Sequence, residues 1–233
     1  QMSANTWLYR RIALCDKLVI AAVDGPAYGA GLGLATCCDW IVAGETAAFC
    51  SAFVRVGAMP DAGLFWSLPS RLGAAGARRM MLLGKEVRGA EALAMGLADD
   101  FVSEGSALPA AMAVAARFAQ GPTRAYGRIK AGLRQAPMSV EQALQFQLDN
   151  GPGLFASEDF KEGAQAFLEK RKPVFKGQFL EQKRQVGGKS QAHVRPCRVV
   201  AGRCFPAGSV PPASRSGQPE VRFGPTVPGQ SSL

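Results

Sequence analysis

Apolar positions recur along the first three quarters of the chain with two different periods. Leu8, Ile12 and Cys15 fall four and three residues apart and predict a short amphipathic helix within 6–16. Residues 18–23 (Leu-Val-Ile-Ala-Ala-Val) are instead an unbroken apolar run, short enough for a buried strand. Asp24-Gly25-Pro26 ends that run as a turn. From Gly29 glycines give way to a helix-compatible stretch ending near Asp39, and 40–43 and 47–53 read as further short strands. From Gly73 onward the pattern turns helical, with helices predicted over 74–83, 89–95, 108–119, 123–134, 139–150 and 157–172. For the last of these, Ser157 is the expected N-cap. Glu158 and Asp159 lie in its first turn, Lys170, Arg171 and Lys172 in its last, and Pro173 stands as a stop. No repeat of 20–50 residues is visible. Strands first and helices later, within one body, predict α/β or α+β packing.

Residues 178–233 break the pattern. They hold 7 of the 15 prolines and show neither helical nor strand periodicity, so disorder is expected there. They also carry most of the formal charge of +9, since this segment alone contributes 8 Lys and Arg against 2 Asp and Glu. A basic arm for nucleic acid is one reading of that excess. Phe205 and Phe223 stand alone, however, without the interleaved aromatics that stack on bases, so a solvated tail is preferred. With 48% hydrophobic and 19% charged residues in 233, the remainder is apolar enough to bury a core. No run approaches the roughly 18 apolar residues of a membrane span. Six cysteines, with Cys37 and Cys38 adjacent, do not resemble a secreted disulfide scaffold, so a reduced, cytoplasmic setting is expected. The opening Gln1-Met2 leads straight into the first helix without a signal peptide, and neither end looks complete.

Two stretches could carry chemistry. Gly29-Ala30-Gly31-Leu32-Gly33 follows a strand and a turn, but its spacing is not that of a dinucleotide fingerprint. The glycines could serve a tight turn and close packing alone. Alternatively, the free N–H groups at the helix start, around Ala30 and Gly31, could hold a developing negative oxygen. The second stretch runs from Gly57 to Trp66. There a single carboxylate, Asp61, stands among Met59, Phe65 and Trp66, where desolvation would favour the neutral acid and suit acid–base work. A plain turn aspartate in Pro-Asp-x-Gly is the competing reading. His193, Cys197 and Cys204 lack metal-ligand spacing, and His193 is the one histidine, so no nucleophilic triad can be assembled and no metal is expected. Glu141, Glu158 and Glu162 belong to solvated helix faces.

Taken in order, these segments resemble the crotonase (enoyl-CoA hydratase/isomerase) superfamily. The likeness is carried by 17–25 with Ala27-Tyr28-Gly29-Ala30-Gly31 and Cys38-Asp39, then by 53–57 with Met59-Pro60-Asp61-Ala62-Gly63. Leu83-Gly84-Lys85, 90–93, Gly96-Leu97 and Glu162-Gly163 to Phe175 continue it, over about residues 10–177. The resemblance implies a ββα spiral with two roughly perpendicular sheets over 1–120, N-terminally incomplete. C-terminal helices over 121–177 would serve oligomerisation, as a homotrimer or hexamer. It further implies an acyl-CoA thioester as substrate, with no separate cofactor and no membrane. The Ala30 N–H would be one of two oxyanion donors. The other comes from an earlier loop that has no match here, and much of the adenine pocket is missing with it. Tyr28, Gly29, Gly31, Phe53, Phe65 and Trp66 would line the substrate site, and Phe167 and Lys170 on the last helix would reach the coenzyme A of a neighbouring subunit.

Departures from the family pattern separate the possible reactions. Where hydratases of the family carry two glutamates, this chain has Gly33 and Phe53, and neither can move a proton. Asp61 occupies the position of the single acid/base in several acyl-CoA isomerases. Pro60-Asp61 and Trp66-Ser67-Leu68-Pro69 look most like the phenylacetate-pathway type. One carboxylate suffices to move a double bond, by taking a proton at C2 and returning it at C4. The expectation is therefore an enoyl-CoA isomerase. The alternatives are hydration, aryl-CoA dehalogenation by a nucleophilic aspartate, or a non-catalytic acyl-CoA-binding subunit.

Overall fold

The computed structural model describes residues 4–103 and 105–177, together with 199–200 and 203–204. An opening helix, α1 (Ala4–Leu14), leads into β1 (Ile20–Val23), whose four residues come from the apolar run read as a strand. The turn at Asp24-Gly25 does not end the extended chain. It redirects it into β2 (Pro26–Tyr28) in a different sheet, and α2 (Ala30–Cys37) follows. The same sequence of events then repeats. β3 (Trp40–Ala43) and β4 (Ala48–Cys50) are followed, after a 3₁₀ turn at Ala52–Val56, by the long helix α3 (Leu64–Leu83). Each turn of this ββα spiral lays one strand in each sheet, so β1 pairs parallel with β3 and β2 with β4. β5 (Val87–Arg88) closes the second sheet antiparallel to β4, α4 (Gly89–Ala94) follows, and β6 (Asp100–Phe101) closes the first parallel to β3. The two three-stranded orders are β1-β3-β6 and β2-β4-β5.

The core lies between these sheets and helices α2, α3 and α4. Leu32, Ile41, Phe49, Leu64, Leu68, Ala92 and Leu97 are all fully buried in it. On the other side of the first sheet, Val42 packs with Ala107 and Ala111 of α5 (Ala107–Ala119). Three helices complete this unit: α6 (Thr123–Leu133), α7 (Val140–Phe155) and α8 (Glu158–Leu168). α7 begins with a full capping box, in which the Ser139 hydroxyl accepts from Gln142 N–H and the Gln142 side chain accepts from Ser139 N–H. Ser157 caps α8 as expected, accepting from Phe160 N–H at 3.1 Å.

Several sequence expectations are corrected. Residues 47–53 are not one strand, because the chain leaves the sheet after Cys50 and winds into the 3₁₀ turn. Helical structure starts at Leu64 rather than Ala74. Pro69 and the kink at Gly73 (φ 66°, ψ 170°) had hidden its period. The last helix ends at Leu168, with Lys170 in the left-handed region (φ 54°), so Lys170, Arg171 and Lys172 follow the helix instead of forming its last turn. Arg171 turns back to pair with Glu162 through two nitrogens, at 2.6 and 3.0 Å.

Beyond residue 177 the described residues are β7 (Val199–Val200) and β8 (Arg203–Cys204), which form a short antiparallel pair. The expectation of disorder otherwise lies outside the described residues, as do His193 and Cys197. No helix among the described residues is long and apolar enough to cross a membrane.

Candidate active site

The start of α2 is built by glycine geometry. Gly29 is its N-cap at φ 51°, a backbone conformation that a side chain would strain, and its N–H is fixed to the Cys50 carbonyl at 2.9 Å. The ring of Phe53 covers it, 3.6 Å from where a Cβ would sit. The first helical bond runs from Gly33 N–H to the Gly29 carbonyl at 3.0 Å. The N–H groups of Ala30, Gly31 and Leu32 therefore precede the helical ladder and have no acceptor within it. Ala30 and Gly31 are solvent-exposed and Leu32 is buried, so the first two residues of this row are the ones open to a ligand.

The turn carrying Asp61 is pressed against the second turn of this helix. Ala62, in the left-handed region at φ 54°, is buried, and its Cβ and carbonyl oxygen occupy the space above Gly33. A Cβ on Gly33 would come closer to both than 3.0 Å. Gly63 also lies against α2, with its Cβ position 3.3 Å from the Cys37 sulfur. The contact between Gly33 and Ala62 thus sets where Asp61 lies relative to the Ala30 amide. Gly33→Ala is expected to lower stability by about 1–3 kcal/mol through overpacking, measured by denaturant unfolding, and to displace the Asp61 turn.

Asp61 itself is exposed. The apolar enclosure expected around it is not formed by the described residues, since Met59 and Phe65 are 74% and 60% exposed. Trp66, on the first turn of α3, does not shield it either. It lines a neighbouring cavity of about 600 Å³ with Cys37, Ser67, Arg71, Ile129 and Arg134, and neither Asp61 nor Ala30 is among the lining residues. Tyr28 extends outward from β2 and donates its hydroxyl to Glu86, which Arg88 also engages at 2.5 Å. That hydrogen bond, with some burial, keeps the phenol above its ordinary range. Phe167 is 83% exposed near the end of α8, which packs against α7, and neither it nor the exposed Lys170 joins this cluster.

Tyr9 is the residue that sequence reasoning missed. It lies on α1, is 8% exposed, and packs with Cys37 and Ala62. Its hydroxyl donates to the Ala30 carbonyl at 3.4 Å. Burial first, then the charge of Asp61 and the neighbouring Cys37, raise its pKa above the ordinary 10.0. The signal available was the three-residue step from Tyr9 to Ile12, which packs with it, whereas Leu8 of the four-residue step is 42% exposed.

Burial also pushes the Cys37 and Cys38 thiols up from 9.0 to about 11, so both are neutral at physiological pH. Because the folded thiols hold their protons longer than unfolded ones, their contribution is complete below pH 9.0 and declines as pH rises toward about 11. Melting curves from pH 8 to 11, on the order of that window, are expected to drop less in a Cys37→Ala/Cys38→Ala variant than in the parent. No group of three or more His, Cys, Asp or Glu among the described residues could hold a metal ion.

Comparison with known proteins agrees with this architecture. The enoyl-CoA hydratase/isomerase family model matches residues 2–178. A Rhodobacter capsulatus protein named "probable enoyl-CoA hydratase" is 42% identical over 174 residues, 73% of this chain and 66% of its own length. The 2,3-dehydroadipyl-CoA hydratase of Escherichia coli is 39% identical over 174 residues, 73% of this chain and 67% of its own. Among solved structures, an enoyl-CoA hydratase from Polaromonas sp. JS666 superposes with a TM-score of 0.68 at 32% identity, covering 74% of this chain and 67% of that one. The chain thus spans about two thirds of the length of the curated relatives it matches. With a ββα spiral, a glycine-led α2 and a family model matched from residue 2 to residue 178, the chain belongs to the enoyl-CoA hydratase/isomerase family.

Proposed function

We propose that this chain acts on an acyl-CoA thioester and moves a carbon–carbon double bond, with Asp61 as the proton carrier. The Ala30 N–H binds the thioester oxygen as an enolate develops, and the charge at the start of α2 favours that oxyanion. Asp61 then removes the C2 proton and returns it at C4, so that one carboxylate serves as base and then as acid.

The observation that carries this reading is the packing of Ala62 on Gly33. It ties the only carboxylate of the Asp61 turn to the helix that presents the Ala30 amide. It also leaves no room for a side chain at Gly33, where hydratases of the family place one of their glutamates. Phe53 stands at the second such position and covers Gly29 instead. In the same reading the exposed row Val140, Leu144 and Leu148 of α7 is the face on which copies associate into a trimer or hexamer.

Hydration is the second reading, favoured by the names of the related proteins. The two are separated by supplying a β,γ-enoyl-CoA and its α,β isomer to the same preparation. Conjugation of the first at a rate exceeding hydration of the second supports isomerisation. Hydration of the α,β isomer without conjugation of the other supports the alternative.

A further inference from the structure

Two structural features of α2 and the Asp61 turn converge on one side chain of α1. The Ala30 carbonyl accepts the Tyr9 hydroxyl, and the Tyr9 ring packs on Ala62, next to Asp61. We propose that Tyr9 is a positioning residue of this site: its hydroxyl sets the Ala30–Gly31 peptide, and its ring holds the Asp61 turn at a fixed distance from α2. This inference rests on the acyl-CoA reading given above.

The physical argument concerns one peptide unit. The Ala30 carbonyl and the Gly31 N–H belong to the same amide, so a donor on the oxygen draws electron density away and sharpens the N–H as a donor. A carbonyl oxygen has two lone pairs and can accept Tyr9 in addition to its helical partner. The Gly31 N–H is among the donors that precede the helical ladder, beside the Ala30 N–H. Tyr9 therefore bears on the Gly31 N–H directly and on the neighbouring Ala30 N–H through the orientation of the residue that both peptides share, without touching substrate. At 3.4 Å the contact is long for an O–H···O bond, and such contacts commonly tighten only when substrate is bound. The raised Tyr9 pKa keeps the hydroxyl protonated, as a donor must be.

The lever itself is anchored from the far side. The carbonyls of Ile12 and Ala13, in the last turn of α1, accept Lys130 at 3.0 Å and Arg134 at 2.9 Å. Lys130 of α6 and Arg134 just after it thereby cap the helix that carries Tyr9. Tyr9 is thus held at both ends, by α6 through its own helix and by α2 through its hydroxyl.

Tyr9→Phe removes the hydroxyl and keeps the ring. With a β,γ-enoyl-CoA, kcat is expected to fall about tenfold while KM stays within about twofold, as for one lost hydrogen bond that acts mainly in the transition state. In glycine-selective ¹⁵N spectra the Gly31 amide is expected to move, while Gly153 on α7 does not. Ile12→Val, in the same cluster, serves as the packing control and should leave kcat within about twofold. Equal losses in both variants, or an unchanged kcat in Tyr9→Phe, overturn the proposal. If the parent chain turns over no β,γ-enoyl-CoA, the isomerase reading falls, and the Gly31 amide alone decides the positioning: a shift upholds it and a stationary peak overturns it.

Discussion

Asp61→Asn is expected to lower isomerase turnover by about 10³-fold, the middle of the range that general acid–base groups contribute. Asparagine keeps the size of the side chain and cannot accept the C2 proton. Asp61 is exposed, so the substitution should leave the fold and its melting temperature nearly unchanged. KM should also change little, because the oxyanion donors are backbone groups and remain in place. A second measurement tests the single-carrier mechanism directly. If one carboxylate takes the proton and returns it, deuterium placed at C2 appears in part at C4 of the product in ordinary water. Undiminished turnover in the Asn variant removes Asp61 from the mechanism, whereas complete washout of the label shows that the exposed carboxyl exchanges with water before it returns the proton.

Lys130→Met is the largest stability effect expected. The Lys130 side chain is 4% exposed, and its ammonium donates to Asp39 at 2.6 Å and to the carbonyls of Ile12 and Lys17 at 3.0 Å each. The same Asp39 oxygen accepts from Val19 N–H at 2.8 Å, one residue before β1. One buried cation therefore joins α6, the end of α1, the entry to β1 and the turn before β3. Methionine fills the space but leaves Asp39 without its cation and takes a donor from both carbonyls, of which that of Ile12 keeps Cys15 N–H at 3.3 Å, a loss of about 3–5 kcal/mol. For a body of this size that corresponds to a fall in Tm on the order of 10 °C. Adding Asp39→Asn should recover part of the loss, because the cost lies in the abandoned charge. No recovery would show that the pair is not the source of the effect.

The elements with strong local signals were legible in the sequence. Ser157 with Glu158 and Asp159 announced α8, and the apolar run before Asp24 announced β1. β2, β5 and β6 were not, because two or three residues carry no period of their own. Val87 is extended only because Phe49 pairs with it, 38 positions earlier by residue number. The end of α8 was misplaced for a related reason. Lys170, Arg171 and Lys172 look like a basic last turn, but the left-handed turn at Lys170 and the Glu162–Arg171 pair fold them back.

The site divides in the same way. The strand–turn–glycine–helix order placed the Ala30 and Gly31 amides at a helix start, and the departures at Gly33 and Phe53 left Asp61 as the candidate proton carrier. These are properties of local spacing and residue type, which the sequence determines. Tertiary structure alone decided that Ala62 fills the space over Gly33, that Tyr9 reaches Ala30 across 21 residues, and that Asp61 stands exposed rather than enclosed by Met59 and Phe65. Such contacts depend on how separate elements are brought together by burial of a shared core, and no short window of sequence carries that information.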